Sequence, residues 1–305
     1  MDVSIIIVNY NTKQLLSDCI KSIYEHTTGI EYEIIVSDNG SKDGSIEMIK
    51  TDFPHVALVE NNANLGFGAA NNRGLLVATG KYIFYLNSDT ILLNNAVKLF
   101  FDYFERHGGA ESIGALGANL LNKDMQVIHS YGAFITSKAF INELFHTLYG
   151  VTKLSLLYLL FRKTFKKDAA DSIKQFYIGQ VDYITGADLF MLNDQNARFD
   201  ESYFMYAEEM DLQYNIQKFG KKRLLIDGPQ IMHLQGCSAE KSPDLLHIHG
   251  TFSHIYNNIS RALYLKKHGC GIVSLLLIKL LICFIWINPF IIKKTAKYFP
   301  ALFRV

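Results

Sequence analysis

Four short clusters rich in Asn and Asp carry the side chains of this sequence that are best suited to bind a charged ligand. They lie at residues 9–11, 38–41, 61–68 and 87–89, and each directly follows an apolar run. Carboxylate and amide oxygens bind hard divalent cations, and backbone amides beside glycines bind phosphate. One such cluster is an ordinary turn signal, whereas four in the same position after a strand indicate a shared site.

The apolar pattern between the clusters predicts the elements that must position them. Strands are predicted over residues 3–8, 33–37, 56–59 and 82–86, and helices over 15–24, 46–50 and 69–78. This alternation predicts an α/β fold with a mostly parallel, doubly wound central sheet flanked by helices. Ligands of such sheets bind beyond the carboxyl ends of the strands, where all four clusters are expected to meet.

The second half of the chain is less regular. The patterns predict strands over 113–119, 181–192, 224–226 and 230–234, a hairpin over 120–131 and a helix over 208–219 that Gly220 ends. The apolar stretch 153–167 has basic residues at both ends and is either a membrane-surface helix or a helix packed on the domain.

Two clusters suggest contacts to a nucleotide. Asp38, in SDNGSKDGS, follows a strand and is suited to accept a hydrogen bond from a nucleobase, while Asp43 is interpreted mainly as a helix cap. Residues 64–74 (NLGFGAANNRG) lack the Walker ending and do not follow the first strand, so the P-loop and the dinucleotide fingerprint are excluded. An ordinary loop accounts for these glycines equally, and Arg73 meets either a phosphate or a carboxylate.

Other acids and a histidine suggest a cation and a base. Asp89 ends the NSD cluster, where it either forms a turn or binds Mg²⁺ or Mn²⁺, and His233 is either structural or a second ligand beside Asp89. The first turn of the predicted helix 208–219 contains three acids, which interact favourably with the helix dipole: Glu208, Glu209 and Asp211. Alternatively, one of them removes a proton from an acceptor hydroxyl.

Taken in order, the segments SIIIVNYN, SDNGSKDGS, NLGFGAANNRG, NSD, FMYAEEMDL and IMHLQGCS resemble family 2 glycosyltransferases. More narrowly, they resemble the rhamnosyltransferase-like branch that builds O-antigen, capsule and other bacterial surface polysaccharides. The resemblance covers roughly residues 1–268. It implies a GT-A fold, a nucleotide-diphospho-sugar donor, a divalent cation and inversion at the anomeric carbon.

The resemblance also implies roles for particular residues. Asp38 would contact the base, Asp89 and His233 would hold the cation, and Glu209 would be the base. Glu208 and Asp211 remain alternatives, because the family usually has Glu-Asp where this chain has two glutamates. Asn87 replaces the first acid of the family's DxD motif. The residues expected to contact the donor are Asn9, Asn11, Asp38, Asn64, Gly66, Asn71, Arg73 and Asn87.

We therefore expect a catalytic domain over residues 1–240, with a nucleotide-sugar half (1–118) and an acceptor half (119–240), and a helical region over 241–305. The expected donor is dTDP-rhamnose, with UDP-sugars next, and the expected acceptor is a lipid-linked saccharide. Two other classes remain open: a non-catalytic nucleotide-sugar or saccharide-binding protein, and a sugar-1-phosphate nucleotidyltransferase. The latter would carry a Gly-rich, Arg-containing loop directly after the first strand, where this chain has Asn9-Tyr10-Asn11.

Composition narrows the class of protein further. The 305 residues are 49% hydrophobic and carry a formal net charge of +1, which excludes a disordered chain and argues against nucleic acid as a partner. The four cysteines are widely spaced, so we expect no zinc module or disulfide scaffold and a reducing compartment. We expect no secretory signal, because the first apolar run is short and lacks basic residues before it.

Residues 271–292 form an apolar segment in which Lys279 is the only charge. Its length just suffices to span a bilayer, but lysines lie on both sides of it and Pro289 lies near its end. We favour a segment that lies at the cytoplasmic face of the inner membrane, peripheral or monotopic, over a true span. A buried core helix is the third interpretation.

Overall fold

Strands and helices alternate through the first third of the chain, as the apolar pattern predicts. The elements are β1 (Val3–Asn9), α1 (Lys13–His26), β2 (Tyr32–Asp38), α2 (Ser45–Asp52), β3 (Ala57–Glu60), α3 (Phe67–Leu75) and β4 (Tyr82–Asn87). β1 and β4 are buried along almost their whole length, as expected for strands covered by helices on both faces. α3 begins two residues before its predicted start at residue 69.

A computed structural model describes residues 1–107, 112–152, 175–234 and 249–305. The remaining described elements are β5 (Thr90–Leu92), α4 (Ala96–Arg106), β6 (Ile113–Gly117), β7 (Tyr131–Gly132), α5 (Ser137–Thr152), β8 (Gly179–Val181), β9 (Tyr183–Ile184), β10 (Asp188–Leu192), α6 (Glu208–Lys218), β11 (Lys222–Leu225), β12 (Ile231–His233), α7 (Phe252–Lys267), α8 (Ile272–Trp286), α9 (Ile292–Thr295) and α10 (Phe299–Arg304).

Several predictions for the second half need correction. The single strand predicted over 181–192 is divided, because a turn that contains Gly186 separates β9 from β10. The hairpin predicted over 120–131 is confirmed by the antiparallel bridge between Leu121 and Val127. β5, α4 and α5 were not predicted. The stretch predicted as a helix over 153–167 lies outside the described residues.

Eight of the described strands form one sheet in the order β3-β2-β1-β4-β10-β6-β11-β8. β1 is parallel to both of its neighbours, β2 and β4, while β10 runs antiparallel between β4 and β6. The chain leaves β1 towards β2 on one side and later returns to β4 on the other. The strand order therefore reverses between β1 and β4, and their carboxyl ends border a topological switch point.

Helices cover both faces of this sheet. One apolar cluster packs α1, α2 and α4 on one face, around Leu16, Ile20, Phe100 and Phe190. A second cluster packs α3 and α6 on the other face, around Phe199, Leu212 and Ile216. The sheet is therefore the middle layer of a three-layer α/β arrangement.

The chain divides into two compact units. The described residues of the first unit, 1–107, 112–134, 175–204 and 208–234, contain the large sheet, and those of the second are 135–152, 205–207 and 249–305. Within the second unit, α8 packs against α5, α7 and α10. None of the helices in the described ranges has both the length and the apolar character that crossing a bilayer requires.

Asp188 is a carboxylic acid inside the sheet of the first unit. It is fully buried at the start of β10, and its Oδ2 accepts the Ala118 N–H at 2.7 Å. Its Oδ1 has no hydrogen-bond partner in the described parts of the chain. Burial raises the pKa of Asp188 well above its ordinary value, because removal from water disfavours the charged carboxylate.

We predict that Asp188→Asn changes how stability depends on pH. Because the pKa of Asp188 is higher in the folded chain than in the unfolded chain, wild-type stability decreases as pH rises from about 4 to the raised pKa. Asn cannot ionise, so at pH 8 the variant should be at least as stable as wild type, and this advantage should shrink towards pH 4. Urea denaturation across this range, with exposed Asp124→Asn as the control, measures the difference. Parallel pH profiles for wild type and Asp188→Asn would refute it.

Candidate functional site

The carboxyl ends of β1 and β2 are joined by a buried hydrogen-bond network. Asn9 Nδ2 donates to Asp38 Oδ2 at 2.7 Å and to Ser41 Oγ at 3.0 Å. Asp38 Oδ1 accepts the N–H groups of Gly40 and Ser41 at 3.0 and 2.8 Å. Asp38 is fully buried, and its carboxylate holds the turn that follows β2. This structural role was not predicted from the sequence.

Asn11 and Tyr10 lie on the surface beside this network. Asn11 adopts a left-handed backbone (φ 56°), and its Oδ1 accepts the Lys42 N–H at 2.8 Å. The Tyr10 side chain is 48% exposed directly after β1. An exposed aromatic ring at the end of a central strand offers a stacking surface to a flat ring. Donor contacts were predicted for Asn9 and Asn11 but not for Tyr10, although Tyr10 stands between them in the same cluster.

Asn39 connects this turn to the glycine-rich loop. Its Nδ2 donates to the Gly66 carbonyl at 3.1 Å and to Asn64 Oδ1 at 3.4 Å. Gly66 has φ 88°, and a Cβ built there would lie 2.0 Å from the Phe204 carbonyl oxygen. Only glycine fits this position, and the glycine-rich loop therefore packs closely against Phe204 and Asn39. Asn39 therefore links the predicted residues Asn64 and Gly66 to the turn after β2. Asn39 itself was not predicted as a site residue.

The polar residues of α3 have different surroundings. Asn71 is buried, and its Nδ2 donates to the Phe67 carbonyl at 3.2 Å within the helix. Asn72, which was not predicted, donates to the Phe199 carbonyl at 2.8 Å and accepts the Phe199 N–H at 2.9 Å. Arg73 is exposed, and across the described ranges no ion pair joins it to another predicted site residue.

Asp89 and His233 converge from two paired strands. β12 pairs antiparallel with β5, which places His233 opposite Thr90, and the Leu234 N–H donates to the Asp89 carbonyl at 2.9 Å. His233 Nε2 lies 3.1 Å from Asp89 Oδ1, and Asn87 Nδ2 lies 3.4 Å from the same nitrogen. The two side chains are only 10% and 14% exposed. Three predicted site residues are therefore in mutual contact.

A divalent cation fits the donors of this pair. Neighbouring ligands of an octahedral Mg²⁺ ion lie about 3 Å apart, since they are at right angles and bonded at about 2.1 Å. Asp89 Oδ1 and His233 Nε2 have this spacing, at 3.1 Å. In the part of the chain that the structure describes, no third His, Cys, Asp or Glu joins them. Two protein ligands leave the other positions to phosphate oxygens and water, the usual arrangement for Mg²⁺ beside a phosphate substrate.

Thr12 and Ser88 connect the cation-binding pair to the β1–β2 network. Thr12 Oγ1 donates to Asn9 Oδ1 at 2.7 Å and lies 3.0 Å from Ser88 Oγ. Ser88 stands between Asn87 and Asp89 in the chain. The carboxyl ends of β1, β2 and β4 therefore form one connected polar edge. Thr12 and Ser88 were also missed, although both stand beside or inside predicted clusters.

The first turn of α6 lies close to this edge. The Asn87 N–H donates to the Ala187 carbonyl at 3.1 Å, which places Gly186 beside the end of β4. A Cβ built on Gly186 would lie 3.8 Å from Glu209 Cβ, and one built on Gly68 would lie 3.6 Å from Glu208 Cβ. Both glutamates are therefore near the predicted donor-binding segments.

The acids of α6 differ in their surroundings. Glu209 is half-buried, and burial raises the pKa of its carboxyl, while the N–H groups of Glu209 and Met210 act in the opposite direction. Asp211 is buried, and its Oδ1 accepts the Tyr203 hydroxyl at 2.9 Å. Asp211 also lines a cavity of about 300 Å³ together with Arg198, Asp200 and Asn215. Glu208 is buried as well.

Part of the chain matches a family of known proteins. Residues 4–146 match the model of Glycosyl transferase family 2. The chain is 31% identical over 121 residues to the poly(ribitol-phosphate) beta-glucosyltransferase of Bacillus spizizenii, covering 38% of this chain and 19% of the relative. It is 39% identical over 89 residues to the uncharacterized glycosyltransferase YibD of Escherichia coli, covering 28% of this chain and 25% of the relative. The chain thus spans about a quarter or less of these two relatives.

The fold is also similar to a solved structure. The mannosyltransferase PcManGT of Pyrobaculum calidifontis, solved with GDP-Man and Mn²⁺, matches with a TM-score of 0.54 at 14% identity. The match covers all of this chain and 75% of that one. Together with the match of residues 4–146 to the family model, it supports an α/β, GT-A-like fold with a mostly parallel central sheet.

We predict that Gly66→Ala lowers the free energy of unfolding by about 2–4 kcal/mol, because the new methyl group overlaps the Phe204 carbonyl and the backbone is left-handed. Gly220→Ala is a matched control. Gly220 also has a positive φ (74°), but no atom lies within 4 Å of a Cβ built there, so only the backbone strain of about 1–2 kcal/mol is expected. Urea denaturation compares the two variants, and equal losses would contradict the prediction.

Proposed function

We propose that this protein is an inverting family 2 glycosyltransferase, which moves a sugar from a nucleotide-diphospho-sugar to a hydroxyl of an acceptor. The observation that carries this proposal is the Asp89–His233 pair, with 3.1 Å between Oδ1 and Nε2, next to the buried Asn9–Asp38 network at the switch point. A donor of this class needs a site for its diphosphate and a site for its nucleoside. The polar edge supplies suitable groups for both.

The nucleoside end of the donor is assigned to the ends of β1 and β2. Asp38 and Asn9 organise the turn there and remain the proposed base-binding residues, with Asn11 beside them. The exposed ring of Tyr10 is suited to stack on the base. The diphosphate and sugar are assigned to Asn64, Gly66, Asn71, Arg73 and Asn87, by their place in the glycine-rich segment and beside the cation-binding pair.

Asp89 and His233 are proposed to hold Mg²⁺ or Mn²⁺. When bound, such an ion stabilises the negative charge that builds on the leaving nucleoside diphosphate. Asn87 lies beside this pair, with its Nδ2 3.4 Å from His233 Nε2. The removal of the acceptor's hydroxyl proton is assigned to a side chain of the protein.

Glu209 is the proposed general base. Its carboxylate accepts the acceptor's hydroxyl proton as that oxygen bonds to the anomeric carbon, and the bond from that carbon to the diphosphate breaks with both electrons leaving on the diphosphate. The attack comes from the face opposite the leaving group, so the configuration inverts. Asp211 is less suited, because Tyr203 occupies its carboxylate and it lines a separate cavity. A raised pKa brings Glu209 closer to the strength that a base needs near neutral pH.

The finer assignments rest on the sequence resemblance. We propose rhamnose from dTDP-rhamnose as the transferred sugar, with UDP-sugars next, and a lipid-linked saccharide as the acceptor. The product then belongs to a cell-surface polysaccharide such as O-antigen or capsule. Such an acceptor places the enzyme at the cytoplasmic face of the membrane, with residues 271–292 as the associating segment.

We predict that the donor raises the melting temperature only in the presence of Mn²⁺. A ligand stabilises the folded protein according to its affinity, so a series of dTDP-rhamnose and UDP-sugars identifies the donor. Asp89→Ala and His233→Ala should each abolish the metal-dependent shift and turnover, whereas Asp124→Ala should leave both unchanged. A donor shift that is independent of the metal would favour a non-catalytic binding protein, and no shift with any donor would contradict the proposal.

We predict that Glu209→Gln keeps donor binding but lowers kcat by about 10²–10⁴, since only proton transfer is lost. In wild type, kcat/KM should fall with decreasing pH as Glu209 becomes protonated, and this acidic limb should be absent from the residual activity of the variant. Asp211→Asn should keep the acidic limb. Donor-dependent melting and a transfer assay across pH test this, and an unchanged kcat in Glu209→Gln would exclude Glu209 as the base.

A further inference from the structure

Charge is unevenly distributed along this chain. Residues 249–305 contain eight Lys and Arg side chains and no Asp or Glu. The whole chain has 30 basic and 29 acidic residues, so the excess of acids lies in the preceding part of the sequence. The near-zero net charge therefore conceals a strongly basic C-terminal segment in the second unit.

Apart from Ser274 and Lys279, the helix α8 within this segment is apolar, and it is covered only on one side. Its buried side chains, which face the rest of the second unit, are Leu275, Ile278, Leu281, Ile282, Ile285 and Trp286. Five others follow each other at intervals of three or four residues and are between 49% and 76% exposed: Val273, Leu276, Leu280, Phe284 and Ile287. This spacing places them along one side of the helix. We refer to these five residues as the exposed stripe.

Basic side chains stand at both ends of the exposed stripe. Lys266 and Lys267 precede α8, and Lys293, Lys294 and Lys297 follow it; all five are exposed. We refer to these five residues as the basic flanks. A continuous apolar side with cations at both ends matches a surface that offers an apolar interior and anionic groups together.

We propose that the exposed stripe inserts into the headgroup–acyl boundary of an anionic lipid surface, and that the basic flanks bind the lipid headgroups. The helix lies along the surface, because its other side is buried against protein and is closed to lipid. This inference deepens the membrane location proposed above, and it depends on neither the donor nor the reaction.

A second copy of the chain is a poorer occupant for the exposed stripe. A two-fold pairing of α8 with its copy in the antiparallel direction brings Lys266 and Lys267 of one copy next to Lys293 and Lys294 of the other. Like charges in contact oppose this association. An anionic membrane instead neutralises both ends of the helix.

The test uses the full chain and vesicles of phosphatidylcholine, either alone or with roughly 30% phosphatidylglycerol. In a sedimentation assay, we expect the protein to bind the anionic vesicles, to bind the neutral ones much less and to dissociate with added salt. Leu280→Glu/Phe284→Glu should lower the partition coefficient more than about tenfold. Leu76→Glu/Phe219→Glu is the matched control, since both side chains are 66% exposed in the first unit.

The contribution of charge is measured separately. Lys293→Gln/Lys294→Gln should weaken binding to anionic vesicles by about fivefold for each lysine removed. Lys21→Gln/Lys123→Gln removes two exposed lysines from the first unit and should have little effect. Trp286 is the only tryptophan of the chain and is buried, so unchanged fluorescence emission shows that a variant still folds.

Three results would overturn the inference: equal binding to both kinds of vesicle, undiminished binding by folded Leu280→Glu/Phe284→Glu, or a dimer that this variant dissociates without losing vesicle binding. The last result would assign the exposed stripe to a second copy. Donor-dependent melting of the same proteins keeps the two proposals apart. Failure of the donor shift leaves the vesicle result standing, and failure of vesicle binding leaves the donor assignment standing.

Discussion

The polar edge of the first unit depends on one buried hydrogen bond between two parallel strands. The register of β1 and β2 places Asn9 opposite Asp38, and Asn9 Nδ2 donates to Asp38 Oδ2 at 2.7 Å in full burial. Buried polar groups are costly unless they are paired, so this bond fixes both strand ends. The turn at Ser41 is then held by the same two side chains, and Asn39 extends the network to the glycine-rich loop.

Three acids of the first unit have very different surroundings in the fold. Asp38 accepts three hydrogen bonds, which hold the turn after β2. Asp188 has one donor and full burial, which raises its pKa strongly. Glu209 stands at a helix start, where backbone amides partly offset the effect of burial. Only Glu209 combines a raised pKa with partial access to solvent, the combination that proton transfer requires.

Much of the fold and part of the site follow from the sequence. The strands with continuous apolar runs and the clusters after them were predictable, because burial on both faces leaves a strong local pattern. The contact between Asp89 and His233 was only one of two interpretations, since it depends on the long-range pairing of β5 with β12. Asn39, Ser41 and Asn72 lie in predicted segments but were not named as individual site residues, because polar residues look alike in sequence until their partners are known. The division of residues 181–192 by a turn that contains Gly186 was not predicted either.

The C-terminal apolar segment shows that composition alone does not tell whether a helix is buried in protein, lies on a membrane or spans it. An apolar run of this length has three interpretations, and the sequence pattern does not separate them, because apolar residues lie on every side of α8. The fold separates the sides of the helix: Ile278, Ile282 and Ile285 are fully buried, while Leu276, Leu280 and Phe284 remain exposed. Exposed apolar side chains in a helical row are costly in water, so their retention beside the basic flanks argues for a surface that covers both. A lipid surface of negative charge meets this requirement by its chemistry alone.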